Sequence, residues 1–212
     1  MQKLKGLYPI ADAQHINANA LIHAVDEVLA AGVHIIQYRD KFNSQVVRHK
    51  TANNLKQLTK KHNALLIIND DVSLANSIDA DGVHLGENDC SISDARRILG
   101  PNKIIGASCY NQYDNALRAQ KLGASYVAFG SFFFSPTKPH APRASIELIT
   151  QAKKELTLPI CAIGGIHKDN MGPLITAGVD MVALISAIFS NSSMTKAISE
   201  YLPLLKQFAL TV

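Results

Sequence analysis

The sequence predicts an α/β fold, a single (β/α)8 TIM barrel spanning residues 1–212 as one domain. Three observations predict it. Short β-branched or apolar runs alternate eight times with longer stretches whose apolar residues recur every three or four positions. Gly32, Gly123 and Gly178 each stand between a helical stretch and the next apolar run, where a left-handed residue ends a helix. The first strand–helix turn, Ala11-Asp12-Ala13-Gln14-His15, holds no glycine, and no G-x-G-x-x-G occurs anywhere, which argues against an open doubly wound sheet. Eight units in 212 residues lie near the lower size limit of such a barrel.

The elements follow in order. Strand 6–11 is apolar but contains Pro9, which cannot donate to a ladder and predicts irregular pairing there. Helix 18–31 carries the stripe Leu21, Val25, Val28, Leu29. Strand 33–39 places Val33, Ile35, Gln37 and Arg39 on one face. Helix 44–62 leads to strand 64–69, whose centre is four consecutive apolar residues. Asp71 is positioned to cap helix 72–78, and strand 82–85 follows. Helix 91–99 opens with Ser91, Ser93 and Asp94, residues that suit a helix start. Strand 103–108, helix 112–122, strand 126–130, helix 145–155, strand 159–163, helix 170–176 and strand 180–185 complete the alternation. A last helical region covers 187–208, with an interruption expected near Pro203.

Composition narrows the function. Hydrophobic residues are 47% and charged residues 18%, enough for a core and too few charges for disorder. The net charge of +4 comes without a basic cluster, so no nucleic-acid partner is expected. The first residues lack the apolar centre of a secretory signal. The stretch 181–195 falls short of the ~20 apolar residues of a membrane helix. Cys90, Cys109 and Cys161, an odd number without C-x-x-C spacing, suggest reduced thiols and a cytoplasmic location. The eight histidines have no zinc-ligand spacing.

Barrel chemistry gathers at the C-terminal strand ends, and polar residues cluster there. Gln37, Arg39 and Lys41 suit a phosphate or diphosphate, although an Arg39–Asp40 pair on a solvated loop would explain the same residues. With Asp71 capping a helix, Asp70 is left to point inward, and Asp89 follows the adjacent strand. The two could share a hard cation such as Mg2+, or be ordinary loop aspartates. Ser108 reads equally as a ligand contact or a helix cap. Cys109 reads better as a buried apolar residue than as a nucleophile. The long loop from Ser131 to about Ala144 offers Ser135, Thr137 and Lys138 as an anion cradle, with Phe132 to Phe134 as core or pocket wall. Gly164-Gly165 and Ser186 occupy the position where barrels bind phosphate, though a tight turn alone would also use the glycines. Two anion sites, one beside a carboxylate pair, suit an enzyme joining a phosphorylated substrate to one with a diphosphate leaving group.

These residues resemble the thiamine phosphate synthase family over about residues 5–190. The carriers are Gln37-x-Arg39-x-Lys41, Asn69-Asp70, Gly82-x-His84-Leu85-Gly86-x-x-Asp89, Gly106-x-Ser108, Ser135-x-Thr137-Lys138, Ala162-Ile163-Gly164-Gly165-Ile166 and Ile185-Ser186. The resemblance implies a barrel transferase of thiamine biosynthesis that couples a hydroxymethylpyrimidine diphosphate to a thiazole phosphate, commonly carboxylated, and releases pyrophosphate. It implies Mg2+ as cofactor on Asp70 and Asp89. It gives Gln37, Tyr38, Arg39, Asp40, Lys41, Asn69, Ser108 and Lys138 to the pyrimidine diphosphate. Ser135, Pro136, Thr137, Gly165, Ile185 and Ser186 go to the thiazole phosphate. Arg39, Lys41, Lys138 and Ser108 are the catalytic set, stabilising charge on the leaving group while the C–O bond breaks to leave a carbocation that the thiazole nitrogen captures. Glu87 stands where the family usually has Gln, and Phe134 where it usually has Pro. Rival readings are a thiazole tautomerase, a sugar-phosphate isomerase and a non-catalytic phosphate-ligand sensor. The cations and aspartates together argue against the first two, and a sensor needs fewer diphosphate ligands. The partners expected are small phosphorylated molecules, with no membrane and with a homo-oligomer left open.

Overall fold

Eight parallel strands pair in chain order and close on themselves: β1 (Gly6–Asp12), β2 (Ile35–Arg39), β3 (Leu65–Asn69), β4 (Gly82–Leu85), β5 (Ile104–Tyr110), β6 (Tyr126–Phe129), β7 (Ile160–Ile163) and β8 (Met181–Leu184). The computed structural model describes residues 4–14, 16–134 and 142–209. Between the strands run α1 (Ala18–Ala30), α2 (Gln45–Lys61), α3 (Val72–Ser77), α4 (Ile92–Leu99), α5 (Tyr113–Lys121), α6 (Ile146–Glu155) and α7 (Gly172–Thr176). After β8 come α8 (Ser186–Phe189) and α9 (Met194–Ala209). The sheet is the closed barrel that the eightfold alternation predicts.

The period-2 pattern of the strands divides the core into two layers. Outward side chains such as Ile36, Leu66, Ile68 and Val83 pack against the helix stripes, including Leu21, Val25 and Val28. Inward side chains such as Tyr8, Ile35, Ile67, Tyr126, Cys161 and Met181 fill the barrel. Fully burying one such aliphatic side chain contributes about 1.5–3 kcal/mol, so the paired layers hold the barrel closed. The side chains of Asn17, Ser44, Asp71 and Ser91 each accept a backbone N–H at a helix start. Asp71 is therefore the cap expected of it, which separates its role from that of Asp70.

Most boundaries lie within a residue or two of the sequence reading, and three of the differences have a structural cause. Pairing in β2 begins at Ile35, and Val33 packs in the barrel–helix layer, off the face shared by Ile35, Gln37 and Arg39. β5 extends to Tyr110 through a register shift between Ser108 and Tyr110. The final helical region breaks at residues 190–193 and not at Pro203, which lies inside α9. There the Asn191 amide donates to the Ala187 and Ile188 carbonyls, closing α8, and Ser193 Oγ accepts from Lys196 N–H. Pro9 leaves β1 unbroken. It ends the segment paired with β8, and the segment paired with β2 begins at Ile10.

Candidate active site

The C-terminal strand ends open on a cavity of about 580 Å3. Gln37, Arg39, Lys41, Asn69, Asp70, Asp89, Ser108, Gly165, Ile185 and Ser186, all expected from the sequence, line it together. Tyr38 and Asp40, also expected, do not reach it. Strand alternation turns Tyr38 outward into the helix layer, where its hydroxyl donates to Asp40 at 2.8 Å. Asp40 also accepts the Phe42 and Asn43 backbone N–H groups and the Asn43 amide, so it builds the turn after β2. Ser135, Pro136, Thr137 and Lys138 lie outside the described residues.

The cations are held by carboxylates. Arg39 pairs with Asp12 of β1, not with Asp40. Asp12 and Arg39 are register partners on adjacent strands, and Asp12 is only 4% exposed. An almost buried carboxylate therefore fixes the guanidinium at the cavity wall. Lys41 lies beyond the end of β2 and still lines the cavity, its ammonium 2.7 Å from Asp70.

Asp70 adopts a left-handed backbone, φ 63°, sparse for residues other than glycine and more accessible to Asp than to most. Its N–H donates to the His84 carbonyl at 2.8 Å. Asp89 accepts the Gly86 N–H at 2.7 Å. The two carboxyl groups are neighbours close enough to push each other's pKa in opposite directions. Burial opposes the Asp70 charge, but the Lys41 ammonium and the neighbouring Asp89 carboxyl outweigh it and hold Asp70 below the usual carboxylate range. Asp89 is raised by burial and by the neighbouring Asp70. Two oxygen donors forced to share one site, one of them kept charged, fit a hard divalent cation that takes the remainder of its shell from water and phosphate oxygens. Among the described residues no group of three or more His, Cys, Asp and Glu side chains is arranged to hold a metal ion.

A polar line crosses the cavity floor. Gln37 Nε2 donates to Tyr8 Oη at 2.9 Å, and the Tyr8 and Tyr126 hydroxyls are 2.8 Å apart. His84 Nδ1 lies 2.8 Å from Tyr126 Oη, and His84 Nε2 lies 2.9 Å from Ser108 Oγ. Gly106 makes this line possible. It sits in register between His84 of β4 and Tyr126 of β6. The Tyr126 ring fills the place of its missing side chain, since a Cβ there would stand 2.1 Å from Cζ. Sequence reasoning assigned no role to Tyr8, His84, Tyr126 or Asp12. An alternating strand does signal inward polar groups, but which tyrosines meet depends on register across strands far apart in sequence. Tyr110, brought to the cavity by the irregularity in β5, was likewise not anticipated.

The opposite wall is backbone. Gly164 and Gly165 have φ of 105° and 62°, and a Cβ on Gly165 would stand 2.1 Å from the Phe134 carbonyl oxygen. The pair is thus more than a turn: it lets the segment after β6 lie against the end of β7, where Phe133 N–H donates to the Gly164 carbonyl at 2.9 Å. Ile185 and Ser186, at the start of α8, complete this wall, and the first N–H groups of such a turn have no acceptor within the helix. Phe132 is buried and Phe134 is 63% exposed. Cys109 is buried in the helix layer, and burial pushes its thiol up to about 12, which suits packing and not nucleophilic chemistry.

Comparison with known proteins adds a family. Residues 7–188 match the family described as thiamine monophosphate synthase. A thiamine-phosphate synthase of Thiobacillus denitrificans is 49% identical over 180 residues, 85% of each chain. One from Nitrosococcus oceani is 46% identical over 198 residues, covering 93% of this chain and 91% of the other. The solved thiamine phosphate pyrophosphorylase of Pyrococcus furiosus superposes with a TM-score of 0.85 at 34% identity, covering 97% of both chains.

Proposed function

The chain belongs to the thiamine monophosphate synthase family and is a transferase of thiamine biosynthesis; within that family we propose that it condenses 4-amino-2-methyl-5-hydroxymethylpyrimidine diphosphate with thiazole phosphate, or its carboxylated form, giving thiamine phosphate and pyrophosphate, with CO2 released as well from the carboxylated form. The observation that carries this reading is one cavity holding Arg39 and Lys41 beside the Asp70–Asp89 pair, opposite the Gly165–Ser186 wall. A phosphate-only ligand leaves the first wall without a purpose.

Gln37, Arg39, Lys41, Asn69 and Ser108 bind the pyrimidine diphosphate, with Lys138 added by family resemblance. The Gly165 and Ser186 N–H groups and the Ser186 hydroxyl take the thiazole phosphate, bordered by Ile185, with Ser135, Pro136 and Thr137 added on the same ground. Asp70 and Asp89 hold Mg2+, which when bound supplies positive charge to the diphosphate oxygens. The C–O bond to diphosphate breaks with its electron pair leaving on pyrophosphate, and the thiazole nitrogen donates its pair to the carbon. Arg39 spreads its fork over two oxygens as that charge grows, with Asp12 keeping it from turning away. No side-chain nucleophile takes part. The reduced thiols support a cytoplasmic setting, and no described helix is long and apolar enough to cross a membrane.

Chromatography of the products from both substrates tests the reading. Thiamine phosphate forming only when both are present supports it, and none forming with folded protein refutes it.

A further inference from the structure

The polar line across the cavity floor has a direction. Burial pushes the Tyr8 and Tyr126 phenols far above their ordinary range, so each keeps its single proton. Tyr8 accepts from Gln37, and Tyr126 is its one other partner among the described residues. If Tyr126 donated to Tyr8, the proton of Tyr8, a side chain only 1% exposed, would have no acceptor among the described residues, at the cost of a lost hydrogen bond. Tyr8 therefore donates to Tyr126, and Tyr126 donates to His84 Nδ1. That nitrogen must be bare, so the imidazole proton sits on Nε2 and goes to Ser108 Oγ. Ser108 is left with its own hydroxyl proton to direct into the cavity it lines.

We propose that the Gln37–Tyr8–Tyr126–His84 line acts as a one-way relay that fixes Ser108 as a hydrogen-bond donor to the diphosphate leaving group, with Tyr8, Tyr126 and His84 as positioning residues. The proposal rests on the substrate reading above. Diphosphate oxygens only accept, so a serine whose proton is drawn inward toward His84 would aim lone pairs at an anion. The opposite polarity would require the Gln37 carbonyl to face Tyr8 and the His84 proton to sit on Nδ1. In the inferred polarity the Gln37 carbonyl is left for a donor on the substrate, such as a ring amino group. The two ends of the cavity floor are thus tied: an acceptor at Gln37 implies a donor at Ser108. Burial of the intervening bonds in a low-dielectric interior strengthens that coupling.

Two measurements test it. In 15N-histidine-labelled protein, with the His84 signals identified by their loss in His84→Gln, the proton is expected on Nε2 and not on Nδ1. A proton on Nδ1 overturns the relay. Tyr126→Phe, which keeps the ring beside Gly106, is then assayed for pyrophosphate release with Ser108 present and in Ser108→Ala. The loss in kcat is expected to be about tenfold with Ser108 and under about twofold without it, with KM for the thiazole phosphate unchanged. Equal losses in both backgrounds overturn the proposal, because a purely structural tyrosine acts whether or not the serine is there. If the unmodified chain releases no pyrophosphate from the two substrates, the substrate reading falls, and the tautomer alone decides the relay's direction.

Discussion

Asp12 and Arg39 face each other in register across the seam between β1 and β2, and their side chains pair at the cavity wall. Asp12 lines no ligand surface, yet it decides where the guanidinium points. Asp12→Asn keeps the size of the side chain and removes its charge. We expect kcat/KM for the pyrimidine diphosphate to fall about tenfold, with little change for the thiazole phosphate. Steady-state kinetics with each substrate varied in turn checks this, and equal effects on both would remove the special link to the diphosphate side.

Asp70 is expected to separate function from stability. Its pair with Lys41 is partly exposed, with side-chain exposures of 24% and 52%, and such pairs contribute at most about 1 kcal/mol. Asp70→Ala is expected to lower kcat about a hundredfold or more while leaving the thermal midpoint within a few degrees of the unmodified chain. Calorimetry beside the activity assay checks both halves.

Gly106 tests the cavity floor from a residue with no polar side chain. A Cβ would stand 2.1 Å from Tyr126 Cζ and 2.3 Å from its oxygen. Gly106→Ala is expected to cost stability at the upper end of the ~1–3 kcal/mol typical of overpacking, and to lower activity by pushing Tyr126 off His84. Chemical denaturation and a pyrophosphate assay on the folded fraction measure the two effects.

The sequence made the strand ends legible because hydrophobic periodicity and turn chemistry are local. Gly32, Gly123 and Gly178 do take positive φ, at 93°, 89° and 97°, before the strands they were expected to precede. The cavity lining at Gln37, Arg39 and Asp70 was legible for the same reason: barrel strands alternate faces, and their ends converge. Partner choice was not legible. Arg39 turns to Asp12, 27 residues away, and not to its neighbour Asp40, because the strand pleat puts adjacent side chains on opposite faces. The Tyr8–Tyr126 bond spans 118 residues and depends on the gap at Gly106, which no local pattern reveals. Pro203 misled for a related reason, since the capped break at residues 190–193 had already ended the preceding helix.

Asp40 carries a pH signature. Burial opposes its charge, but the Asn43 N–H and amide, the Phe42 N–H and the Tyr38 hydroxyl together hold its carboxyl below the ordinary 3.8. A depressed carboxyl stabilises the fold above its unfolded value, and that stabilisation is lost as pH falls through the folded value. Asp40→Asn is expected to cost about 1–3 kcal/mol at neutral pH. Its stability should also decline less steeply than that of the unmodified chain between about pH 5 and pH 2. Urea midpoints across that window check the sign, and parallel curves would contradict it.

The central claim is that this cavity departs a diphosphate from one substrate for capture by another, with Asp70 and Asp89 holding the metal. Its most direct test is pyrophosphate release by the full chain, with both substrates, with and without Mg2+. The account predicts release that needs both substrates and the metal, and that nearly vanishes in folded Asp70→Ala. Undiminished release without divalent metal, or from Asp70→Ala at the unmodified rate, would contradict it.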